Sequence, residues 1–253
     1  MILLGTGTSQ GIPVIGCPCP VCHSVDPRDR RLRTAAYVRS GGTALAIDCG
    51  PDFRQQMLTN GITELDGILV THQHNDHIIG LDDVRPFNFL TWSDMPVYAT
   101  EPVMAEFRRR FAYVFEENPY PGAPRVRLLP LSKDRPLQIG ALTVAPVEAM
   151  HGRMPVLGFR IGDFAYMTDV RTIAPREMDK LKGLRCLVLS ALHRKPHHSH
   201  LSLDQALDLI ARLKPGRTYL THLSHRMGFH ADVQAELPEG VHLGYDGLRI
   251  ELS

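Results

Sequence analysis

Apolar residues in this chain fall in short runs, and several of the runs end in histidine or aspartate. Ile2–Leu4 predicts a first strand, which gives way to the glycine-rich GTGTSQGIPVIG. AAYVRS and TALAIDCG flank Gly41-Gly42 and predict two strands joined by a hairpin turn. Gly67–Thr71 and Pro96–Ala99 predict further short strands. RVRLLPL, LTVAPVEA, LGFRIG and FAYMTDV, punctuated by Gly140, Gly158 and Gly162-Asp163, predict a second, predominantly antiparallel sheet. The runs beginning at Cys186 and Arg217 are two more strands, and VHLGYDGLRIEL predicts a last hairpin through Asp246-Gly247. Helical spacing predicts three helices. One covers Asp52–Asn60 and stops at Gly61. Another covers Glu101–Glu116, with Pro102 in its first turn and Val103, Phe107 and Phe111 on one face. The third opens on the capping box Ser202/Gln205 and ends at Pro215-Gly216, with Leu203, Ala206, Leu207, Ile210 and Leu213 as its apolar stripe. The proline-rich 118–124 segment reads equally as a surface connector or as the wall or lid of a pocket.

Strands alternating with helices over 253 residues predict an α/β protein, and the lack of a linker predicts one domain over residues 1–253. Charge is balanced, 28 Lys+Arg against 27 Asp+Glu, which argues against charge-driven binding of long nucleic acid. The N-terminus has neither a basic region nor a long apolar stretch, and no run is long enough for a membrane span. Five cysteines, three of them packed at positions 17, 19 and 22, suit a reducing compartment better than a disulfide framework. A soluble cytoplasmic protein is expected.

The chemistry collects where strands end. Thr71-His72-Gln73-His74-Asn75-Asp76-His77 holds three imidazoles and a carboxylate that no single strand face or helix stripe can share, but which a loop can fan around two metal ions. His151, Asp169 and His222 follow other strands, as do His193, His197, His198 and His200. Asp48 ends its strand either as a partner that orients a ligand histidine or as a cap for the next helix. In Cys17-Pro18-Cys19-Pro20-Val21-Cys22 three thiolates can converge on one tetrahedral ion and want a fourth ligand, better supplied by a distant histidine than by adjacent His23. Cys49 and Cys186 read as small buried residues. The glycine-rich loop matches no complete phosphate-binding pattern and reads as a turn.

The order H-x-H-x-D-H, then a lone His, a lone Asp and a lone His, each after a strand, resembles the metallo-β-lactamase superfamily over essentially the whole chain. That resemblance implies a four-layer αβ/βα sandwich of two mixed sheets. GTGTSQGIP, CPCPVC, HSHLSL and HLSH are similar to the branch of phosphoribosyl 1,2-cyclic phosphate phosphodiesterases, relatives of the tRNA 3′-processing endonucleases. By the resemblance His72, His74 and His151 bind one divalent ion, and Asp76, His77 and His222 the other, with Asp169 bridging. Zinc and manganese both suit such a site. Cys17, Cys19, Cys22 and His225 bind a structural zinc, and Asp76 and His200 are the catalytic side chains. His200, read as titrating near neutrality, would protonate the leaving alkoxide or stabilise its developing charge.

Two ions about 3.5–4 Å apart can share a hydroxide and attack a phosphorus centre in line. The expected activity is a metal-dependent phosphodiesterase acting on a small cyclic or nucleotide-like phosphodiester, with that substrate as the partner and a homodimer as an ordinary assembly. Thioester, lactone or β-lactam hydrolysis uses the same hydroxide but has less call for the extra histidine. A tRNA-processing nuclease would want a basic surface and an extended arm. A sensor binding nucleotide or metal without turnover is disfavoured by the complete ligand set.

Overall fold

The computed structural model describes residues 1–251. A first sheet holds β1 (Ile2–Gly5), β2 (Ala35–Ser40), β3 (Thr43–Ile47), β4 (Gly67–Leu69), β5 (Met95–Ala99) and β6 (Val126–Pro130), in that spatial order. Its first three strands pair antiparallel and the rest parallel. A second sheet holds β7 (Leu137–Ile139), β8 (Leu142–His151), β9 (Met154–Ile161), β10 (Phe164–Met167), β11 (Cys186–Ser190), β12 (Arg217–Thr221) and β13 (Val241–Leu243), also in sequence order. It is antiparallel from β7 to β10 and parallel from β10 to β13. The helices are α1 (Phe53–Asn60), α2 (Asn75–Ile78), α3 (Arg85–Thr91), α4 (Glu101–Arg110), α5 (Pro175–Asp179), α6 (Leu203–Leu213) and α7 (His230–Glu236).

Strand alternation makes the layers. Leu45 and Ile47 of β3 face Phe164 and Tyr166 of β10 and Val188 of β11 in a core between the sheets. Their neighbours Ala44 and Ala46 turn outward to Phe53 and Met57 of α1 and Phe107 of α4. In the other sheet Ala165, Met167, Leu187 and Leu189 turn outward to Ala206, Ile210 and Leu213 of α6. Because both faces of each sheet are covered, the central strands read as unbroken apolar runs. The result is a four-layer αβ/βα sandwich of two mixed sheets.

Several expectations need correction. The second sheet is half parallel, because β10 to β13 are joined through helices, and a parallel pair needs such a crossover. The strand in RVRLLPL is β6, parallel to β5 across α4 at the edge of the first sheet. The long helix ends at Arg110, where Phe111 leaves helical geometry, and a 3-10 turn follows at Ala112–Val114. Among the described residues there is no final hairpin: β13 pairs with β12, and Leu248 and Ile250 cross to the first sheet, bonding Leu3 and Met1. The α6 capping box is present, although Leu209 joins the buried stripe and Leu207 is only partly buried against it. The glycine-rich loop is a connection, Gly7 bridging Arg33 on one side and Leu223 on the other. Among the described residues no helix is long and apolar enough to cross a membrane.

Candidate metal centre

The loop after β4 is held from beneath and from within. A Cβ on Gly50 would lie 2.0 Å from the carbonyl oxygen of Asp76, and one on Gly80 would lie 2.0 Å from that of Gly50, so only glycine lets these backbones approach. Asp48, one residue past β3, accepts from the Thr71 amide at 2.8 Å and from its hydroxyl at 2.8 Å, and meets His77 Nδ1 at 2.6 Å. Asp48 therefore orients a histidine. The helix-cap position belongs to Asp52.

The seven residues singled out at strand ends meet along one rim of the sandwich. His72 Nε2 and His74 Nδ1 are 3.1 Å apart, and with His151 they offer three nitrogens within 4.8 Å of one another. Asp76, His77 and His222 form a second trio under the same limit. Asp169 stands between them, grouped with His72 and His77 on one side and with His151 and His200 on the other. Its Oδ2 is 3.3 Å from His77 Nε2, and its Oδ1 is 3.2 Å from His222 Nε2. Asp48, Asp169 and His222 all have positive φ, at 67°, 56° and 58°. Such backbone costs about 1–3 kcal/mol per residue and persists where the surroundings over-determine it.

The imidazoles are prepared as ligands. His151 gives Nδ1 to the carbonyl of Ser199 at 2.9 Å, as His77 gives its own to Asp48, leaving Nε2 of each toward the rim. Burial holds His72, His74 and His222 below the ordinary histidine range, as metal ligands require. Burial opposes charge on His77 too, but Asp169 and Asp48 outweigh it and hold its pKa well above ordinary. Burial likewise opposes ionisation of Asp169, and His222 and His77 overcome it, keeping the carboxylate well below its usual range. The cluster of Asp48, Asp76 and Asp169 thus calls for positive charge. Among the described residues His77 Nε2 and both ring nitrogens of His222 are buried without a hydrogen bond, a costly state that a cation would relieve. Thr168, whose hydroxyl donates to Asp169 Oδ2 at 2.7 Å, and Ser199 carried no sequence signal beyond standing next to a site residue.

His200 lies inside this rim, its ring 4.8 Å from that of His222 and 4.4 Å from that of His151. Its Nδ1 is buried, unpartnered among the described residues and 3.7 Å from Asp169 Oδ1. The expectation that it titrates near neutrality is corrected: burial, then nearby His222, push its pKa down to about 2, so the imidazole is neutral. His197 lies beside it with ring centroids 5.3 Å apart, half-buried like His193, while His198 is exposed. A shallow cavity of about 590 Å³ opens beside the loop, lined by His74, Asn75, Asp76, Ile79, Arg109 and Arg110.

At the other cluster, His225 Nδ1 lies 3.3, 3.2 and 3.5 Å from the sulfurs of Cys17, Cys19 and Cys22. A zinc tetrahedron with Zn–S of about 2.3 Å and Zn–N of about 2.0–2.1 Å has S···N edges of about 3.6 Å, so the four atoms already fit one. Burial raises the Cys19 thiol, but the Cys22 amide and His225 outweigh it and bring it to about 6. Burial pushes Cys22 up to about 11, with its thiol neighbours adding to the rise. A shared cation would ionise all three together.

Residues 43–223 match the family described as Beta-lactamase superfamily domain. The chain belongs to the beta-lactamase superfamily. With the superfamily comes the reaction class, metal-dependent hydrolysis. A solved structure described as a new diphosphatase from the PhnP family is 40% identical, with a TM-score of 0.91, covering 98% of this chain and 94% of that one. An octanoyltransferase from Porphyromonas gingivalis is 45% identical over 250 residues, covering 98% of this chain and 50% of that protein. The chain thus spans about half the length of that relative, whose name describes the whole. A ribonuclease Z from a Mycobacterium species is 26% identical over 277 residues, covering 95% of each.

Proposed function

We propose that this superfamily member is a phosphodiesterase acting on a small cyclic or nucleotide-like phosphodiester of the phosphoribosyl 1,2-cyclic phosphate type. The observation that carries the reading is Asp169 standing between two ligand trios with unpaired His200 against it. Similarity to the PhnP-family diphosphatase supports phosphoryl rather than carbonyl chemistry.

His72, His74 and His151 would hold one divalent ion and Asp76, His77 and His222 a second, zinc or manganese, with Asp169 reaching both. Cys17, Cys19, Cys22 and His225 would hold a structural zinc. When bound, the rim ions supply Lewis acidity, neutralise phosphoryl oxygens and lower the pKa of a nearby water. The chain's own residues do the rest. Asp48 and the Ser199 carbonyl fix the rings of His77 and His151. Asp76, ionised and bordering the cavity, orients the attacking water from the substrate side. His200, neutral when free, presents Nδ1 to an oxygen of the substrate. A hydrogen bond from that N–H stabilises the charge growing on the leaving alkoxide, which takes its proton from solvent water while the imidazole stays neutral.

The test is a hydrolysis panel on metal-analysed protein, wild type beside His200→Ala. It comprises a ribose cyclic phosphodiester, a dinucleoside diphosphate and a thioester. Diester turnover is expected, falling at least about tenfold in the variant with metal content unchanged. Preference for the thioester over every phosphoryl substrate would sink the reading, and unchanged turnover would remove His200 from the mechanism. A second reading, cleavage of a diphosphate bond, is favoured by the name of the 40% identical structure, and the second substrate measures it.

A further inference from the structure

The ligand loop has a well-held half and a poorly held half. Thr71, His72 and His77 are buried: Thr71 and His77 bond Asp48, and His72 Nδ1 meets the Thr71 hydroxyl at 3.0 Å. His74 and Asn75 are exposed, and Asp76 is half-buried, although His74 belongs to one ligand trio and Asp76 to the other. Within this outer half the His77 amide bonds the His74 carbonyl at 3.0 Å, and the Gln73 amide group touches the sulfur of Met154 at 3.2 Å, a weak acceptor. The strong contacts come from the last residue of α4. Arg110 Nη1 donates to the backbone carbonyl of Gln73 at 2.7 Å and to Oδ1 of Asn75 at 2.6 Å, the two residues that flank His74. Its other face is held by Glu106, which accepts from Nε at 2.9 Å.

We propose that Arg110 is a positioning residue that clamps the exposed arm of the ligand loop, setting His74 and Asp76 for their ions. A bare helix-end charge would not need this geometry. Arg108, Arg109 and Arg110 all suit the negative C-terminal end of α4 equally well. Yet Arg108 pairs with Glu101 and Arg109 with Glu106, both in solvent, and Arg110 alone of the three reaches the loop, 35 to 37 residues earlier in the chain. A planar guanidinium can grip two acceptors at once where an ammonium grips them loosely. The carbonyl of Gln73 and the amide of Asn75 bracket His74 from both sides, so fixing them fixes its imidazole. The inference rests on the two trios being ion sites.

The test reads metal affinity rather than turnover. Cobalt(II) is titrated into apo protein against a chromophoric chelator, following the visible absorption of the His/Asp sites, for wild type, Arg110→Ala, Arg110→Lys, Arg109→Ala and Asn75→Ala. Arg110→Ala is expected to weaken rim-site affinity by about 10- to 100-fold and to alter the cobalt spectrum. Arg109→Ala should stay within about twofold, with Arg110→Lys recovering part of the loss. Asn75→Ala, an exposed change that leaves the fold alone, should weaken affinity in the same direction and tests the clamp from its other end should Arg110→Ala not fold. Wild-type affinity in both Arg110→Ala and Asn75→Ala overturns the proposal, as does an equal loss in Arg109→Ala, which would reduce the effect to charge. Failure of wild type to bind ions at the rim would instead defeat the reading of the trios.

Discussion

Among the described residues five non-glycine residues have left-handed backbone. Trp92 and Lys214 simply end helices, whereas Asp48, Asp169 and His222 each sit one or two residues past a strand at the metal rim. Residue types were legible at these places, because imidazole and carboxylate after apolar runs have few other uses. The turn of the backbone was not, since aspartate and histidine adopt it only when neighbours hold them there. His200 gives the same lesson. Its position could be matched, but its depressed pKa depends on burial beside His222, a residue distant in the chain. His230 yields a pH prediction at this scale. Its Nδ1 faces the buried guanidinium of Arg31 at 3.2 Å and must stay unprotonated to accept from it. Burial, then Arg31, bring its pKa down to about 4, against about 6.5 in an unfolded chain. The unfolded state therefore binds the extra proton between those values, and the His230 contribution to stability, complete above pH 6.5, is lost as pH falls toward 4. Urea midpoints of the metal-loaded protein should drop between pH 7.5 and pH 5, and by less in His230→Gln. Equal drops would show that His230 is not a source of the slope.

At the scale of elements, capping and periodicity carried α1 and α6, whose ends at Gly61 and Lys214 lie where turn chemistry and Pro215-Gly216 put them. What escaped was short or long-range. β7 is three residues between Pro136 and Gly140, too few to show alternation. The 79–91 stretch folds as a 3-10 turn and then α3, with Pro86 in the first turn, which reads as a break when the neighbours are unseen. RVRLLPL reads as part of the second sheet because the pairing of β6 with β5 across α4 leaves no local trace. The packing of Gly50 under the ligand loop is a contact between elements of the same hidden kind. In Gly50→Ala the added methyl meets backbone, the Asp76 carbonyl, and not a flexible side-chain tip. A loss of about 1–3 kcal/mol in unfolding free energy and a fall in turnover are expected together. Calorimetry and kinetics that show neither would mean the loop rides freely on β3.

At the scale of the molecule, the four-layer plan was implied by the resemblance, while the way the layers are tied was visible only once folded. The first sheet presents His72, His74, Asp76 and His77, and the second presents His151, Asp169 and His222. Polar ties cross the gap beside them: the Leu223 amide donates to the Thr6 carbonyl at 2.8 Å, and the hydroxyls of Thr34 and Thr221 meet at 2.9 Å. The Leu157 amide donates to the Thr71 carbonyl at 3.0 Å, and the hydroxyls of Thr34 and Tyr166 meet at 3.2 Å. Each trio draws ligands from both sheets, so an ion held by either would be a rivet through two plates as well as a reagent. Likewise an ion on Cys17, Cys19, Cys22 and His225 would fasten their loop to a turn 203 to 208 residues away. Stripping ions with a chelator should lower the melting temperature by at least about 5 °C, recovered on adding zinc or manganese back. In such a protein, starvation for metal would not merely silence an enzyme: it would unfasten its two halves and hand a loosened chain to any protease nearby.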